Sequence, residues 1–264
     1  MRRVSSFVIQ AVPMFVACST LCFARESLAD ALDRMHDLEF DKADLAIHES
    51  GNHIKPSEVA ANPGQVLHRI REASPVAPVA FNLAIEAEGD EHLRQFQAVC
   101  RLAKQAMVTS VTIQAARAGT PFNTEVDRLR ELTAIANEQG VLLSVKTCIG
   151  RLTEDPDTAV ELCRATPGLG ITLDPSHYIY GPHQGRNFDQ VYAHVYHVHL
   201  RDTRRDAMQV RVGQGEIEYS RIINYLGRYD YARALSIEIL DQPDNGFDRD
   251  TELRKLRRLL ESMV

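Results

Sequence analysis

Apolar and polar positions along the chain follow two alternating periods. Short apolar runs of strand length are separated by longer stretches in which apolar residues recur every three to four positions, as on one face of a helix. The predicted strands cover residues 15–20, 43–49, 76–85, 110–115, 141–148, 170–174, 195–200 and 235–240. The predicted helices lie near residues 25–37, 57–73, 90–106, 124–139, 156–166, 186–193, 218–229 and 248–262. This alternation predicts a parallel sheet with crossover helices.

Eight strand–helix units in 264 residues match the usual size of a closed barrel, ~250 residues. The alternative is an open dinucleotide-binding sheet, which places a G-x-G-x-x-G turn after its first strand. Here the first predicted strand runs into Ser19-Thr20-Leu21-Cys22-Phe23 without any glycine, and the late Gly213-Gln214-Gly215 lacks the third glycine. The sequence therefore predicts an α/β protein, a single (β/α)8 TIM barrel, with no nucleotide cofactor.

The first residues leave two alternatives open. Met1-Arg2-Arg3 and the apolar residues after it resemble a short signal peptide, which would export the protein. Gln10 and Pro13 interrupt that run, and the barrel needs residues 15–20 as its first strand. We therefore expect a cytoplasmic protein with a barrel domain over residues 14–264. Residues 1–13 are then an N-terminal extension or an incorrectly assigned start.

The composition limits the classes of partner that the protein is expected to bind. A net charge of −6 without a basic stripe predicts no nucleic-acid partner. No later run approaches the ~20 apolar residues of a membrane span, so we expect no membrane partner. Five cysteines, an odd number in a chain of this size, indicate reduced thiols rather than a disulfide framework. The sequence leaves open whether the protein forms a homo-oligomer.

Ionisable residues concentrate at the ends of the last four predicted strands. In a closed barrel alternate side chains point inward, and function is found at the C-terminal strand ends. The alternation that turns the apolar residues of these strands outward leaves Lys146, Asp174, His199 and Glu238 pointing inward. Buried charges are costly unless they are paired or bound to a metal. We therefore predict that the four side chains converge at the barrel mouth.

Several short motifs occur in a recognisable order. They are Ser19-Thr20-Leu21-Cys22-Phe23, Gly150-Arg151-Leu152-Thr153-Glu154-Asp155-Pro156, Leu173-Asp174-Pro175-Ser176-His177, His197-Val198-His199-Leu200-Arg201-Asp202, Gly213-Gln214-Gly215-Glu216-Ile217 and Ser236-Ile237-Glu238. Together they resemble the xylose-isomerase-like family of sugar phosphate isomerases and epimerases, over residues 15–262. The resemblance implies a small-molecule sugar substrate. It specifies no substrate, because the family also includes dehydratases and endonucleases.

The resemblance also implies a metal site. In the family's isomerases and epimerases a divalent ion is held by a Glu on strand five, an Asp on strand six, a His on strand seven and a Glu on strand eight. Asp174, His199 and Glu238 match three of these positions, and they imply manganese, magnesium or cobalt. The fourth position is Lys146, whose ammonium repels a dication and has no lone pair until it deprotonates.

Three interpretations of Lys146 stay open. Its ammonium takes the place of the metal and pairs with Asp174 and Glu238, and it still polarises a carbonyl. Alternatively, Lys146 is a nucleophile that forms a Schiff base with a keto sugar. In the third interpretation the site is degenerate, and the protein binds a ligand without turnover.

The remaining site residues are predicted contacts of the substrate. The resemblance assigns this role to His177 and Arg205, and we add His48 and Glu49, which end the second predicted strand.

We expect a sugar or sugar phosphate isomerase or epimerase that transfers a proton next to a carbonyl of a keto or aldo sugar or polyol-derived compound. The predicted catalytic residues are Glu238 as the base, Lys146 and His199. The alternatives are a lyase or dehydratase of the same family and a non-catalytic sugar-binding barrel.

Overall fold

Eight parallel strands close into a barrel in the computed structural model, which describes residues 14–73, 75–240 and 248–264. The strands are β1 (Phe15–Ser19), β2 (Lys42–His48), β3 (Ala77–Ala84), β4 (Ser110–Gln114), β5 (Leu142–Lys146), β6 (Leu169–Leu173), β7 (Val195–Leu200) and β8 (Ala234–Ile237). Each strand pairs with the next, and β8 closes the barrel against β1. The predicted single (β/α)8 TIM barrel is confirmed. The predicted extension, residues 1–13, lies outside the described residues.

Helices cover the outside of this barrel. In the described residues they are α1 (Leu28–Asp37), α2 (Pro56–Ala61), α3 (Pro63–Glu72), α4 (Gly89–Gln105), α5 (Phe122–Glu138), α6 (Pro156–Ala165), α7 (Ser176–Tyr180), α8 (Tyr219–Arg228) and α9 (Arg249–Glu261). Short 3-10 helices span Thr20–Phe23, Leu152–Glu154 and Asp189–His194. Within these same residues no helix combines the length and the apolar character needed to cross a bilayer.

Two helical regions differ from the prediction. The expected helix over residues 57–73 is divided at Asn62, whose side chain accepts a hydrogen bond from the Gln65 N–H at the start of α3. Pro63 follows, and because proline has no N–H donor it begins a new helix rather than continuing the previous one. The expected helix over residues 186–193 is instead the 3-10 helix Asp189–His194.

Polar side chains inside the barrel are arranged in layers. Thr172 Oγ1 lies 2.7 Å from Thr112 Oγ1 and 2.6 Å from Ser144 Oγ, so three strands are joined by hydroxyl contacts. Two residues further along β5 and β6, Lys146 and Asp174 occupy the next inward positions. The charged residues therefore lie one layer above the hydroxyl groups, toward the C-terminal mouth.

Candidate active site

The four predicted residues meet at the mouth of the barrel. Lys146 ends β5, His199 lies within β7, and Asp174 and Glu238 directly follow β6 and β8. Lys146 is 5% exposed and the other three at most 2%. We call these residues, together with Arg201, the upper cluster.

The Lys146 ammonium lies between two carboxylates of the upper cluster. It forms a short ion pair with Glu238 Oε1, and its Nζ lies 3.5 Å from Asp174 Oδ2. Schiff-base formation requires the neutral amine, whereas two adjacent carboxylates stabilise the cation. The geometry therefore favours the interpretation in which the ammonium takes the place of a metal.

Arg201 belongs to this cluster although the sequence pattern had not singled it out as a site residue. Its guanidinium forms a short ion pair with Asp174, lies 3.7 Å from Glu238 Oε1, and donates from Nε to Ser176 Oγ at 3.0 Å. Burial alone raises the pKa of Asp174, but the charge of Arg201 above all holds that pKa far below its ordinary value. The sequence could have predicted this position, because the alternation of β7, continued one residue past its end, makes Arg201 the next inward side chain after His199.

A second buried group lies one layer below, and we call Asp44, His197 and His199 the lower triad. Asp44 Oδ2 is 2.9 Å from His197 Nε2 and 2.7 Å from His199 Nε2, and all three side chains are at most 1% exposed. Burial alone raises the pKa of Asp44, but its contacts with the two histidines outweigh burial, so the pKa lies far below its ordinary value. Asp44 was missed although it shares the inward parity of His48 in β2.

His199 connects the two groups. Its Nε2 faces Asp44, and its Nδ1 lies 3.2 Å from Glu238 Oε2. That Nδ1 has no hydrogen-bond partner of regular geometry among the described residues. Both edges of the ring are therefore set by carboxylates from opposite layers.

His177 lies beside the upper cluster, at the start of α7. Its Nδ1 accepts a hydrogen bond from the Ile149 N–H at 3.2 Å, so the ring proton is on Nε2, which lies 3.5 Å from Asp174 Oδ2. Burial lowers the pKa of His177 to about 4, although Asp174 opposes the shift. At neutral pH the ring is therefore an uncharged hydrogen-bonding group at the barrel mouth.

This lowered pKa predicts a pH-dependent stability. The unfolded chain, with a histidine pKa of ~6.5, binds more protons than the native state, so the contribution of His177 is complete above that pH and is lost as the pH falls toward 4. Between pH 7 and 4 this amounts to about 3 kcal/mol. We expect His177→Gln to reduce the loss of unfolding free energy over this interval by that amount, measured by urea titration at both pH values.

A matched control is available at the surface. His68 is exposed, so His68→Gln makes the same substitution without changing a buried ring and is measured alongside at both pH values. An unchanged pH dependence in His177→Gln would contradict the neutral state assigned to His177.

The other three predicted substrate contacts lie in different surroundings. His48, half-buried at the end of β2, has no hydrogen-bond partner on Nε2 among the described residues, and burial lowers its pKa. Glu49 instead accepts from the N–H and the hydroxyl of Ser57, at 3.1 and 2.6 Å, at the start of α2. Its carboxylate is therefore engaged in holding a helix end.

Arg205 is not brought to the upper cluster by any described contact. Its guanidinium is exposed and lies 3.3 Å from Glu216 Oε2, on the wall of an open cavity of about 700 Å³ between the loop after β6 and α8. The same loop region contains Gly215, where a side chain would place its Cβ 1.9 Å from Asp202 Oδ1. Asp202 Oδ2 accepts from the N–H groups of Gly213 and Gly215 at 2.8 and 3.0 Å, so this glycine motif shapes a loop.

Two groups in the described residues have the side chains to hold a metal ion. They are Asp174 with His199 and Glu238, and Asp44 with His197 and His199, with the ligand atoms of each group within 4.8 Å of one another. In the first group both carboxylates are already paired with the cations of Lys146 and Arg201. The family's divalent ion does not fit this donor set, because it would compete with two fixed positive charges.

Comparison with known proteins agrees with this architecture. The family model described as a xylose isomerase-like TIM barrel matches residues 32–263. No curated protein matches the sequence. Three similar solved structures are a xylose isomerase-like TIM barrel protein from Mycobacterium smegmatis in complex with magnesium, a 3-keto-D-glucoside 4-epimerase from E. coli, and a probable 3-DHS dehydratase from Bacillus anthracis.

These structures share the fold along nearly the whole chain. The TM-scores are 0.71, 0.71 and 0.68 and the sequence identities 16%, 14% and 16%, in the same order. The matches cover 95%, 94% and 94% of this chain and 99% of each of the other chains. The TM-scores show that the fold is shared, but sequence identities this low do not show which reaction the protein catalyses.

Proposed function

Because the chain belongs to the xylose isomerase-like TIM barrel family, we propose that it is an isomerase or epimerase of a small hydroxy-carbonyl compound. The substrate class is a keto or aldo sugar or a polyol-derived carbonyl compound. The reaction moves a proton on the carbon next to the carbonyl, without a divalent ion in the upper cluster. The observation that carries the proposal is the Lys146 ammonium between the carboxylates of Asp174 and Glu238.

The charge balance supports this mechanism. Removing a proton next to a carbonyl leaves negative charge on the carbonyl oxygen, and the transition state needs a fixed positive group there. A glutamate carboxylate with a bound dication contributes a net charge of +1, and so does a single lysine ammonium. Replacing the family's Glu and its metal by Lys146 therefore conserves the charge that stabilises the enolate-like oxygen.

The base in this proposal is Glu238. Burial alone raises its pKa, but the charges of His199, Lys146 and Arg201 outweigh burial, so the pKa lies below its ordinary value. The carboxylate is therefore ionised at neutral pH and accepts a proton. Lys146 donates a hydrogen bond to the substrate carbonyl oxygen, and Asp174 and His199 position the reacting groups. The uncharged His177 and His48 bind hydroxyl groups.

Proton exchange with solvent tests the proposal even where the product has not been identified. Keto sugars are incubated in D2O with protein to which no manganese, magnesium or cobalt is added, and deuterium incorporation next to the carbonyl is followed by NMR. We expect incorporation with wild type, and rates lower by at least about 100-fold in Glu238→Gln and in Lys146→Met. His68→Gln, at an exposed position, serves as the control.

The product separates the reactions within the family. A changed stereocentre or a shifted carbonyl supports the isomerase or epimerase, whereas loss of a hydroxyl group supports the dehydratase alternative. Exchange that appears only after a divalent ion is added contradicts the metal-independent role of Lys146.

A non-catalytic sugar-binding barrel is the second candidate. It is favoured by the complete pairing of charges in the upper cluster, where Asp174 and Glu238 are each matched by a buried cation. Such a cluster is stable without substrate and has no unpaired carboxylate. Sugar binding by calorimetry, without deuterium exchange in any compound that binds, would identify this function.

A further inference from the structure

We infer that the lower triad, Asp44, His197 and His199, is a binding site for one zinc ion inside the barrel. This site shares His199 with the family's metal position but takes Asp44 and His197 in place of Asp174 and Glu238. The inference does not rest on the proposed reaction, because it concerns only the donor atoms of the triad. A zinc ion here fixes β2 to β7 across the interior.

The donor set is suited to zinc. Two imidazole nitrogens and one carboxylate oxygen form a common zinc site in proteins, and imidazole favours zinc over manganese or magnesium. The alternation in β7 turns both His197 and His199 inward, and their ring centroids lie 5.0 Å apart. All three donors are present on rigid strands, and their ligand atoms lie within 4.8 Å of one another.

Asp44 has unused capacity for a ligand. Its Oδ2 is in contact with both histidine Nε2 atoms, but Oδ1 is buried and has no partner among the described residues. A buried carboxylate oxygen without a partner is costly. A cation bound to this carboxylate would offset that cost, and the two imidazole nitrogens would then bind the ion instead of contacting Asp44 directly.

The contact on the other edge of the His199 ring also fits a zinc site. When Nε2 binds a metal, the ring proton of the neutral imidazole is on Nδ1, which faces Glu238 Oε2 at 3.2 Å. Histidine ligands of metals typically donate their other N–H to a carboxylate in this way. With zinc bound, the contact between His199 Nδ1 and Glu238 Oε2 would pair an N–H donor with a carboxylate acceptor.

Electrostatics distinguish the lower triad from the upper cluster. Among the described ion pairs, those of Asp44 are with the two histidines alone, whereas Asp174 and Glu238 are paired with Lys146 and Arg201. A dication in the lower triad would therefore not compete with a lysine or arginine already paired to Asp44 among the described residues.

A cavity at the end of the barrel opposite the mouth reaches one residue of the triad. A cavity of about 240 Å³ is lined by His197 together with residues near the N-terminal ends of β1, β3, β4 and β8, among them Phe15, Pro78, Ser110 and Ala234. Arg233 also lines this cavity, whereas Lys146 and Arg201 do not. Of the three triad residues, His197 is the one that the cavity contacts.

Calorimetric titration of chelator-treated protein with zinc chloride tests this site. We expect one equivalent to bind wild type, and affinity to fall by about 100-fold or more in His197→Gln and in Asp44→Asn. Asp174→Asn, which changes only the upper group, should keep the zinc affinity. The glutamine in His197→Gln can still donate to Asp44, which protects the fold, and far-UV circular dichroism checks this.

Histidine ring signals in NMR give a readout that needs no variant. One equivalent of zinc should shift the ring nitrogens of His197 and His199, while the exposed His68 is unaffected. Zinc affinity that is lost in Asp174→Asn but retained in His197→Gln overturns the inference, because the ion then occupies the upper group. Failure of wild type to bind one equivalent overturns it as well, whatever the outcome of the exchange experiment.

Discussion

Lys146→Glu is expected to bind manganese at least about 1000-fold more tightly than the wild-type protein. The change replaces an ammonium beside Asp174 and Glu238 with a third carboxylate, and thereby supplies the fourth ligand of the family's set. One unit-charge interaction at ~4 Å and a protein-like effective dielectric is worth about 4 kcal/mol, which corresponds to roughly that factor. Calorimetric titration of wild type and variant with manganese measures the difference.

Lys146→Gln is the matched control for this experiment. It removes the repelling cation and keeps the size of the new side chain, but it adds no negative charge, so its gain in affinity should be much smaller. Manganese binds weakly to imidazole-rich sites in comparison with zinc, so the lower triad should not contribute to this titration. Stoichiometric submicromolar manganese binding by wild type would show that Lys146 leaves the cluster. The family's metal-dependent mechanism would then be the supported one.

The barrel and the upper cluster were predictable because both follow from simple periods in the sequence. Alternation along β5 and β7 sets which side chains face inward, and that rule is enough to bring Lys146 and His199 together. Arg201 and Asp44 obey the same rule. Arg201 was missed because the predicted strand ends at Leu200, and Asp44 was missed because the alternation was not applied to β2.

The loop residues were harder to predict for a different physical reason. The direction of a strand-end side chain depends on the loop that follows, and sequence spacing does not encode that path. Glu49 turns to the start of α2, where Ser57 offers two donors. Arg205 follows the turn held by Asp202 and ends beside Glu216 at an exposed position.

Lys146→Met is expected to lower the unfolding free energy at pH 7 by about 3–5 kcal/mol, the usual cost of removing one partner of a buried ion pair. The variant leaves Asp174 and Glu238 with Arg201 as the nearest fixed cation, so the cluster has one uncompensated negative charge. The least compensated carboxylate, Glu238, then resists ionisation, and its folded-state pKa rises above the unfolded value. The stability contribution of such a group is complete below its unfolded pKa and is lost as the pH rises through its folded pKa, so the deficit should shrink as the pH falls from 7 to 5.

A double-variant cycle separates charge compensation from simple loss of packing. Adding Glu238→Gln to Lys146→Met restores neutrality, because Asp174 and Arg201 then form a balanced pair. The double variant should therefore be more stable than Lys146→Met alone, with a coupling energy of about 2 kcal/mol or more between the two positions in denaturant titrations. Additive losses would mean that Lys146 stabilises the barrel through its hydrocarbon chain rather than its charge. The lysine would then not replace a metal electrostatically, because its ammonium would contribute nothing to the carboxylates that it contacts.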